Sequence, residues 1–471
     1  METINNTTLI LSMQSFTSST PWFTSNQTSS SWGTSQPAQG VLTRWLFEKV
    51  LFLSLMVVQC ALLHPKFQHS SSARLTRLSL GPPIIGWWLC YPFRLPLLPF
   101  QDRNIFPGFL AAIMVFKSLE WTFSPGPYHI RTLKIVDGTP VWEKDSSPKI
   151  APENSQSNNL ADFALWTTLQ FTSQRGFRWS WGPAGKGNEN SFLQALLEIV
   201  RLQLVLLPCL GFVLYSQDWD SYDIDPRKPL LSLGVPSFRG LGLLAGGIHS
   251  ACTMFVISCS IEMISALPVL STYLLYPAAK RIGLPSKLAE LANPANFPPQ
   301  FGSLFELSSL AHFWGKSWHQ KFRRPFLFCG GKPAMSLARA LGGSSNVQKI
   351  SGVIGVFALS GLFHEYPMYA FQRAPHPYPR RLFETFPASF LFFFLQSFGV
   401  ILEPLIIPYI PRRLGGAKLW TAAFLLLTAP LFTRDICRPA GMFNQYRPPH
   451  MWTWMDVVIP VPIAARMLSD K

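Results

Sequence analysis

The stretch Val353-Ile-Gly-Val-Phe-Ala-Leu-Ser-Gly-Leu-Phe-His-Glu-Tyr-Pro-Met-Tyr-Ala370 decides the fold class. It lies in an apolar run, Ile350–Phe371, close to the roughly 20 residues a helix needs to cross a bilayer. Two thirds of the way along come His364 and Glu365. Ionisable groups at membrane depth are costly, and they face a cavity or a partner. An imidazole kept neutral by apolar surroundings is a competent base near neutral pH. The plainer alternative is a histidine that hydrogen-bonds between helices.

Similar runs flank this one: Leu46–Leu63, Ile105–Trp121, Leu196–Ser216, Leu241–Tyr276, Phe386–Ile410 and Leu419–Phe432. Leu80–Phe100 is weaker, because it carries Arg94 and five prolines, and Val457–Met467 is too short to span alone. Only 14% of the 471 residues are charged, 38 are Phe and 16 are Trp. Soluble domains carry about 25% charged residues, and aromatic rings suit the membrane boundary. Lipid leaves no water for exposed backbone, so closed helices are the way to satisfy it. The expectation is an all-α polytopic transmembrane bundle of roughly seven to nine spans.

The net charge of +16 does not signal nucleic acid, because the cations sit in short stretches between apolar runs, as the positive-inside rule expects. Residues 277–349 hold ten of them, Lys280, Arg281, Lys287, Lys316, Lys321, Arg323, Arg324, Lys332, Arg339 and Lys349, against Glu290 and Glu306. That loop is expected in the cytosol. A lumenal N-terminus and five preceding spans agree, while Arg373, Arg380 and Arg381 would then fall on the lumenal side. Residues 1–40 contain no Lys or Arg and read as a polar lumenal tail. Asn5, Asn6 and Asn26 there head possible glycosylation triplets. Residues 41–471 read as a single membrane-embedded domain, expected in the endoplasmic reticulum membrane. The stretch Ser146–Asn159 reads as flexible loop, and Gln174–Trp179 alternates basic and aromatic residues as an interface does. The seven cysteines show no regular spacing, so neither a disulfide framework nor a zinc site is indicated.

Several chemistries find no foothold. His364-Glu365 opens like HExxH, but Met368 stands where the second histidine is needed. There is no G-x-S-x-G elbow near the spans and no phosphate-binding glycine loop. No internal repeat suggests a transporter of the inverted-repeat kind. His249 is a lone intramembrane histidine and reads as structural. Leu304–Phe322 reads as one amphipathic helix, with Leu307, Leu310, Ala311, Trp314 and Trp318 on an apolar stripe and Lys316, His319 and Arg323 on another face. Such a helix lies along the membrane surface or packs on the bundle.

Together, Asn293-Pro-Ala-Asn-Phe-Pro-Pro-Gln-Phe-Gly302, Ser309-Leu-Ala-His-Phe-Trp-Gly-Lys-Ser-Trp-His319 and the intramembrane Gly-Leu-Phe-His364-Glu resemble the wax synthase branch of the membrane-bound O-acyltransferase superfamily. More narrowly, they resemble fungal acetyltransferases acting on terpenoid and meroterpenoid scaffolds, such as the andrastin and terretonin group. The motif runs from Asn293 to Tyr369, about a sixth of the chain. The resemblance implies that His364 is the catalytic base. It puts His319 where other branches carry asparagine, either orienting the acyl carbonyl or serving structure. Donor and acceptor tunnels would meet at His364. Trp314, Trp318 and Asn296, inside the motif, are expected at the substrate site. Lys316, Lys321, Arg323 and Arg324 would meet the coenzyme A phosphates, unless they are only topological charge.

The implied reaction is direct transfer from acyl-CoA, most simply acetyl-CoA, to a hydroxyl on a lipophilic terpenoid, with no bound cofactor and no metal. A long-chain wax-ester or sterol-ester synthase is the alternative within the class, and a membrane transporter the alternative outside it.

Overall fold

The computed structural model describes residues 39–95, 102–131, 133–142, 159–182, 185–217, 224–303, 308–371 and 387–437. The tail bearing Asn5, Asn6 and Asn26, the stretch 146–158, Val457–Met467, and Arg373, Arg380 and Arg381 lie outside these residues. The described residues divide into two units, one ending at Leu51 and the other beginning at Phe52.

Eight helices of 19 residues or more dominate: α1 (Gln39–Ala61), α2 (Ser71–Arg94), α3 (Asp102–Phe123), α5 (Phe192–Tyr215), α6 (Leu241–Arg281), α7 (Ser345–Phe371), α8 (Ala388–Ile406) and α9 (Ala417–Cys437), with a shorter α4 (Leu160–Thr172). Four of them, α5 to α8, are long and apolar enough to cross a membrane. Those four do not establish the seven to nine spans expected. The proline-rich Leu80–Phe100 region is helical as far as Arg94, with Pro82, Pro83 and Pro92 inside α2. The chain is not purely helical. A small antiparallel sheet of β1 (Leu133–Val136), β2 (Thr139–Trp142) and β3 (Gly185–Lys186) interrupts it. The β1–β2 hairpin turns at Asp137-Gly138, both at positive φ, the turn chemistry that suits a right-twisted ribbon.

The helices pair α2 with α3, α5 with α6, α7 with both α3 and α8, and α9 with α8 and α6. On α5, Leu202, Leu206, Leu210 and Val213 recur at three- and four-residue steps. They join Val256, Cys259 and Met263 of α6, Met368 of α7, Phe392 and Phe393 of α8 and Phe432 of α9 in one core. Lipid tails are as apolar as these side chains, so close packing rather than water exclusion holds such helices together. Gly330 and Gly355 show how close that is. A Cβ on Gly330 would lie 2.4 Å from the Gly355 carbonyl oxygen, and one on Gly355 would lie 2.6 Å from that of Gly330.

Candidate active site

His364 sits on α7, half-buried, where α3, α8 and α9 converge. Its ring stacks on Phe393 of α8 with centroids 4.0 Å apart and planes 18° apart. Phe363, Phe432 of α9 and Phe109 of α3 meet it edge-on at 5.2, 5.6 and 6.3 Å. The Nδ1 atom lies 2.8 Å from the Ser360 carbonyl oxygen. A carbonyl only accepts, so Nδ1 carries the proton and Nε2 keeps its lone pair. Glu365 does not orient the ring. It points elsewhere, where its Oε2 accepts from the Phe390 amide at 2.9 Å.

The segment bearing His319 departs from the single amphipathic helix expected over 304–322. Residues 304–307 lie outside the described set. Leu310–His312 form one α-helical turn and Phe313–Ser317 a wider π-helical turn. The chain then goes extended at Trp318. Tertiary partners explain the break. The Glu403 carboxylate of α8 accepts from the amides of Leu310 and Ala311 at 2.6 and 3.1 Å, and the Ser309 hydroxyl caps the His312 amide at 2.9 Å. The Trp314 indole donates to Gln396 Oε1 at 3.2 Å, and Gln396 donates onward to Thr428 of α9. Upstream, Glu262 of α6 accepts from the amides of Gln300 and Phe301 at 3.0–3.1 Å. The Gly302 amide donates to the Ser317 carbonyl at 2.9 Å.

His319 lies inward among rings, 5.6 Å from Phe301, 5.6 Å from Trp318 and 5.7 Å from Phe322. Phe322 in turn meets Phe363 at 4.5 Å, so two phenyl rings link the two imidazoles. Burial, then the nearby His364 and Lys321, pushes the His319 imidazole down to about 3, and it is neutral at physiological pH. Its Nδ1 is buried with no hydrogen-bond partner among the described residues.

A cavity of about 950 Å³ opens beside this segment, walled by α5, α6, the loop 172–179 and the loop 296–303. Neither histidine lines it. Phe301, which meets the His319 ring, and Lys321 both do. Arg175, Arg178, Arg201 and Lys321 bring positive charge to its wall. Arg201 is already paired with Glu198. Arg175 donates to the Pro298 carbonyl at 2.6 Å, while its Nε is a buried donor with no partner among the described residues. Burial lowers its guanidinium to about 10, so it stays cationic at neutral pH. Arg178 donates to the Glu290 carbonyl at 3.0 Å. The Gln174–Trp179 stretch is thus tied to residues 290–298.

The residues expected to bind substrate therefore separate. Lys321 and Asn296 line the cavity, with Asn296 also donating to the Glu290 carbonyl at 2.6 Å. Lys316 and Arg323 are exposed and not on its wall; the broken helix removes the shared face that spacing gave them with His319. Arg324 is engaged elsewhere. It pairs with Glu120 of α3 at 2.9 Å and reaches the Tyr128 hydroxyl and the Trp181 carbonyl at 3.3 Å. Trp314 and Trp318 pack with Phe313, Phe357, Phe392 and Phe393. His249 is buried in α6 with its Nε2 unpartnered among the described residues. Arg175 and Arg178 lie outside the motif that begins at Asn293; in sequence they are marked by the basic-aromatic alternation and by a share of the Arg175-Gly176 stretch in the family resemblance.

Residues 297–395, which include both His319 and His364, match the membrane bound O-acyl transferase family. Acetyltransferase ataH of Aspergillus terreus is 30% identical over 158 residues, 31% of this chain and 49% of that protein. O-Mevalon transferase macI of Penicillium terrestre is 25% identical over 236 residues, 47% and 49% of the two chains. Acetyltransferase ple2 of Rhodocybe pseudopiperita is 27% identical over 214 residues, 44% and 49% of the two chains. The chain spans about half the length of these curated relatives. No solved structure matches it at a significant level.

Proposed function

From the likeness of residues 297–395 to membrane bound O-acyl transferases, we propose that this chain is a membrane-embedded acyltransferase. It esterifies a hydroxyl of a lipophilic alcohol from an acyl-CoA donor. The observation that carries the reading is the His364 imidazole, with Nδ1–H fixed on the Ser360 carbonyl and Nε2 left as a base among four phenyl rings.

An alcohol attacks a thioester slowly until its proton is withdrawn. Nε2 removes that proton as the oxygen bonds to the acyl carbon, a role worth about 10²–10⁴-fold. The carbonyl becomes a tetrahedral oxyanion, and the neutral His319 ring is a candidate donor to it. Collapse expels the coenzyme A thiolate, which takes the proton, and the ester leaves. The donor's phosphates lie in the 950 Å³ cavity, with Arg175, Arg178 and Lys321 as their cations. This replaces the set Lys316, Arg323 and Arg324.

The finer reading is an acetyl donor and a terpenoid or meroterpenoid acceptor in the endoplasmic reticulum membrane, supported by relatives named acetyltransferase. The test offers detergent-purified protein acetyl-, octanoyl- and palmitoyl-CoA with terpenoid and long-chain alcohols, and follows products by mass spectrometry. An acetyl ester of a terpenoid alcohol is expected. Long-chain esters alone would move the chain to the wax- or sterol-ester synthases. Substrate flux in proteoliposomes with no ester from any donor would favour a transporter.

A further inference from the structure

The His319 segment makes backbone contact with two membrane carboxylates from different helices. Glu262, half-buried on α6, accepts from the consecutive amides of Gln300 and Phe301. Glu403, 5% exposed on α8, accepts from the consecutive amides of Leu310 and Ala311. A carboxylate inside a spanning helix is costly, and it persists where its hydrogen bonds do something a neutral residue does not. Here each carboxylate holds two N–H groups, and charge-assisted bonds of this kind are about twice as strong as neutral ones.

The two anchored sites bracket the residues that surround His319. Phe301, held by Glu262, touches both Trp318 and His319, at 5.2 and 5.6 Å. The turn held by Glu403 carries Trp314, 5.9 Å from Trp318, and Trp318 adjoins His319. A further bond, from the Gly302 amide to the Ser317 carbonyl, closes the two strands of the segment on each other. Neither carboxylate belongs to the aromatic and histidine pattern that marks the segment, and neither is near it in sequence.

We infer that Glu262 and Glu403 are positioning residues, a two-point clamp that fixes where His319 stands relative to His364. The inference rests on the acyl-transfer reading above. A displacement of about 1 Å in a reacting constellation can cost on the order of 100-fold, which sets the expected size.

The experiment measures steady-state ester formation with Glu403→Ala, Glu403→Gln, Glu262→Ala and Glu262→Gln, each also combined with His319→Ala. Both alanine variants should lower kcat by about 100-fold, and Glu403→Ala should leave the donor KM within about threefold. The glutamine variants should recover most of the rate, because an amide oxygen still accepts from backbone N–H groups. On the His319→Ala background neither alanine change should cost much more, since the clamp acts through that ring. Losses that multiply with His319→Ala, or alanine variants with wild-type kcat, would overturn the clamp. A second readout works on protein without turnover: carbethoxylation of His319 by diethyl pyrocarbonate, followed by peptide mass spectrometry. The alanine variants should label several-fold faster than wild type; equal rates overturn the clamp. Absence of any ester from wild type would instead overturn the acyl-transfer reading and leave the labelling result to decide.

Discussion

The phenyl ring of Phe393 lies flat against the His364 imidazole, 4.0 Å between centroids. The imidazole, the proposed base, is thus oriented by a neighbour on α8 and by the Ser360 carbonyl of its own helix. Deleting the base and loosening it should differ in size. His364→Ala should lower turnover by about 10²–10⁴-fold while the protein still reaches the membrane. Phe393→Ala removes a ring pair worth about 0.5–1.5 kcal/mol and should cost about tenfold or less. Single-turnover rates on purified variants check both, and a fully active His364→Ala would remove the base from the mechanism.

Two arginines expected to look alike by charge should behave differently. Arg175 lines the cavity proposed to hold the donor phosphates, so Arg175→Ala should raise the donor KM and leave the acceptor KM near normal. Arg324 is held by Glu120, with side chains 22% and 8% exposed. Removing the arginine leaves the Glu120 carboxylate with the Tyr128 hydroxyl as donor but without its cation, and breaking such a pair costs about 3 kcal/mol. Arg324→Ala should therefore lower the unfolding temperature in detergent, with little change in donor KM for the protein that remains folded.

The His319 ring predicts a pH dependence of stability. Its ionisation, pushed down to about 3 by burial first and then by His364 and Lys321, lies below the unfolded value of about 6.5. Between those values the unfolded chain binds the extra proton. The stabilisation from the neutral ring is complete above pH 6.5 and is lost as pH falls toward 3. The slope is about 1 kcal/mol per pH unit after allowance for partial exposure. His64, lowered to about 4 by burial and then Lys66 and His129, acts in the same direction. The measurement is therefore a difference: between pH 7 and pH 5 the unfolding temperature should fall more steeply for wild type than for His319→Gln. Parallel slopes would contradict the buried setting of the ring.

Gly355 gives a packing test. Any side chain there meets the Gly330 carbonyl, so Gly355→Leu should push α7 off the segment 327–331 and cost several kcal/mol. Replacing Gly246, which has nothing within 4 Å of its Cβ position, with alanine should be silent by the same unfolding assay.

The apolar periodicity that predicts α7 and α8 is a local property of the chain, and so is the cost of placing His364 within it. Those parts were readable. The region around His319 was not, because its conformation is set by groups that spacing does not reveal: Glu403 is 93 residues from the amide of Leu310 that it accepts from. Remove that partner and Leu304–Phe322 does have a helix's periodicity. The cations of this region part company for a related reason. Arg323 and Arg324 are adjacent in the chain, yet one is exposed and the other is 204 residues from its Glu120 partner. Charge is visible in a sequence; whether a counter-ion has already claimed it is a three-dimensional fact.

Glu403 comes after every residue that it anchors, and the ribosome makes it only when α8 is nearly finished. A nascent chain that has inserted as far as His364 therefore carries both histidines but not the carboxylate that holds Leu310 and Ala311. On the proposed reading the site is completed late in synthesis, so intermediates on the translocon should stay inert until α8, the seventh of the long helices, joins the rest.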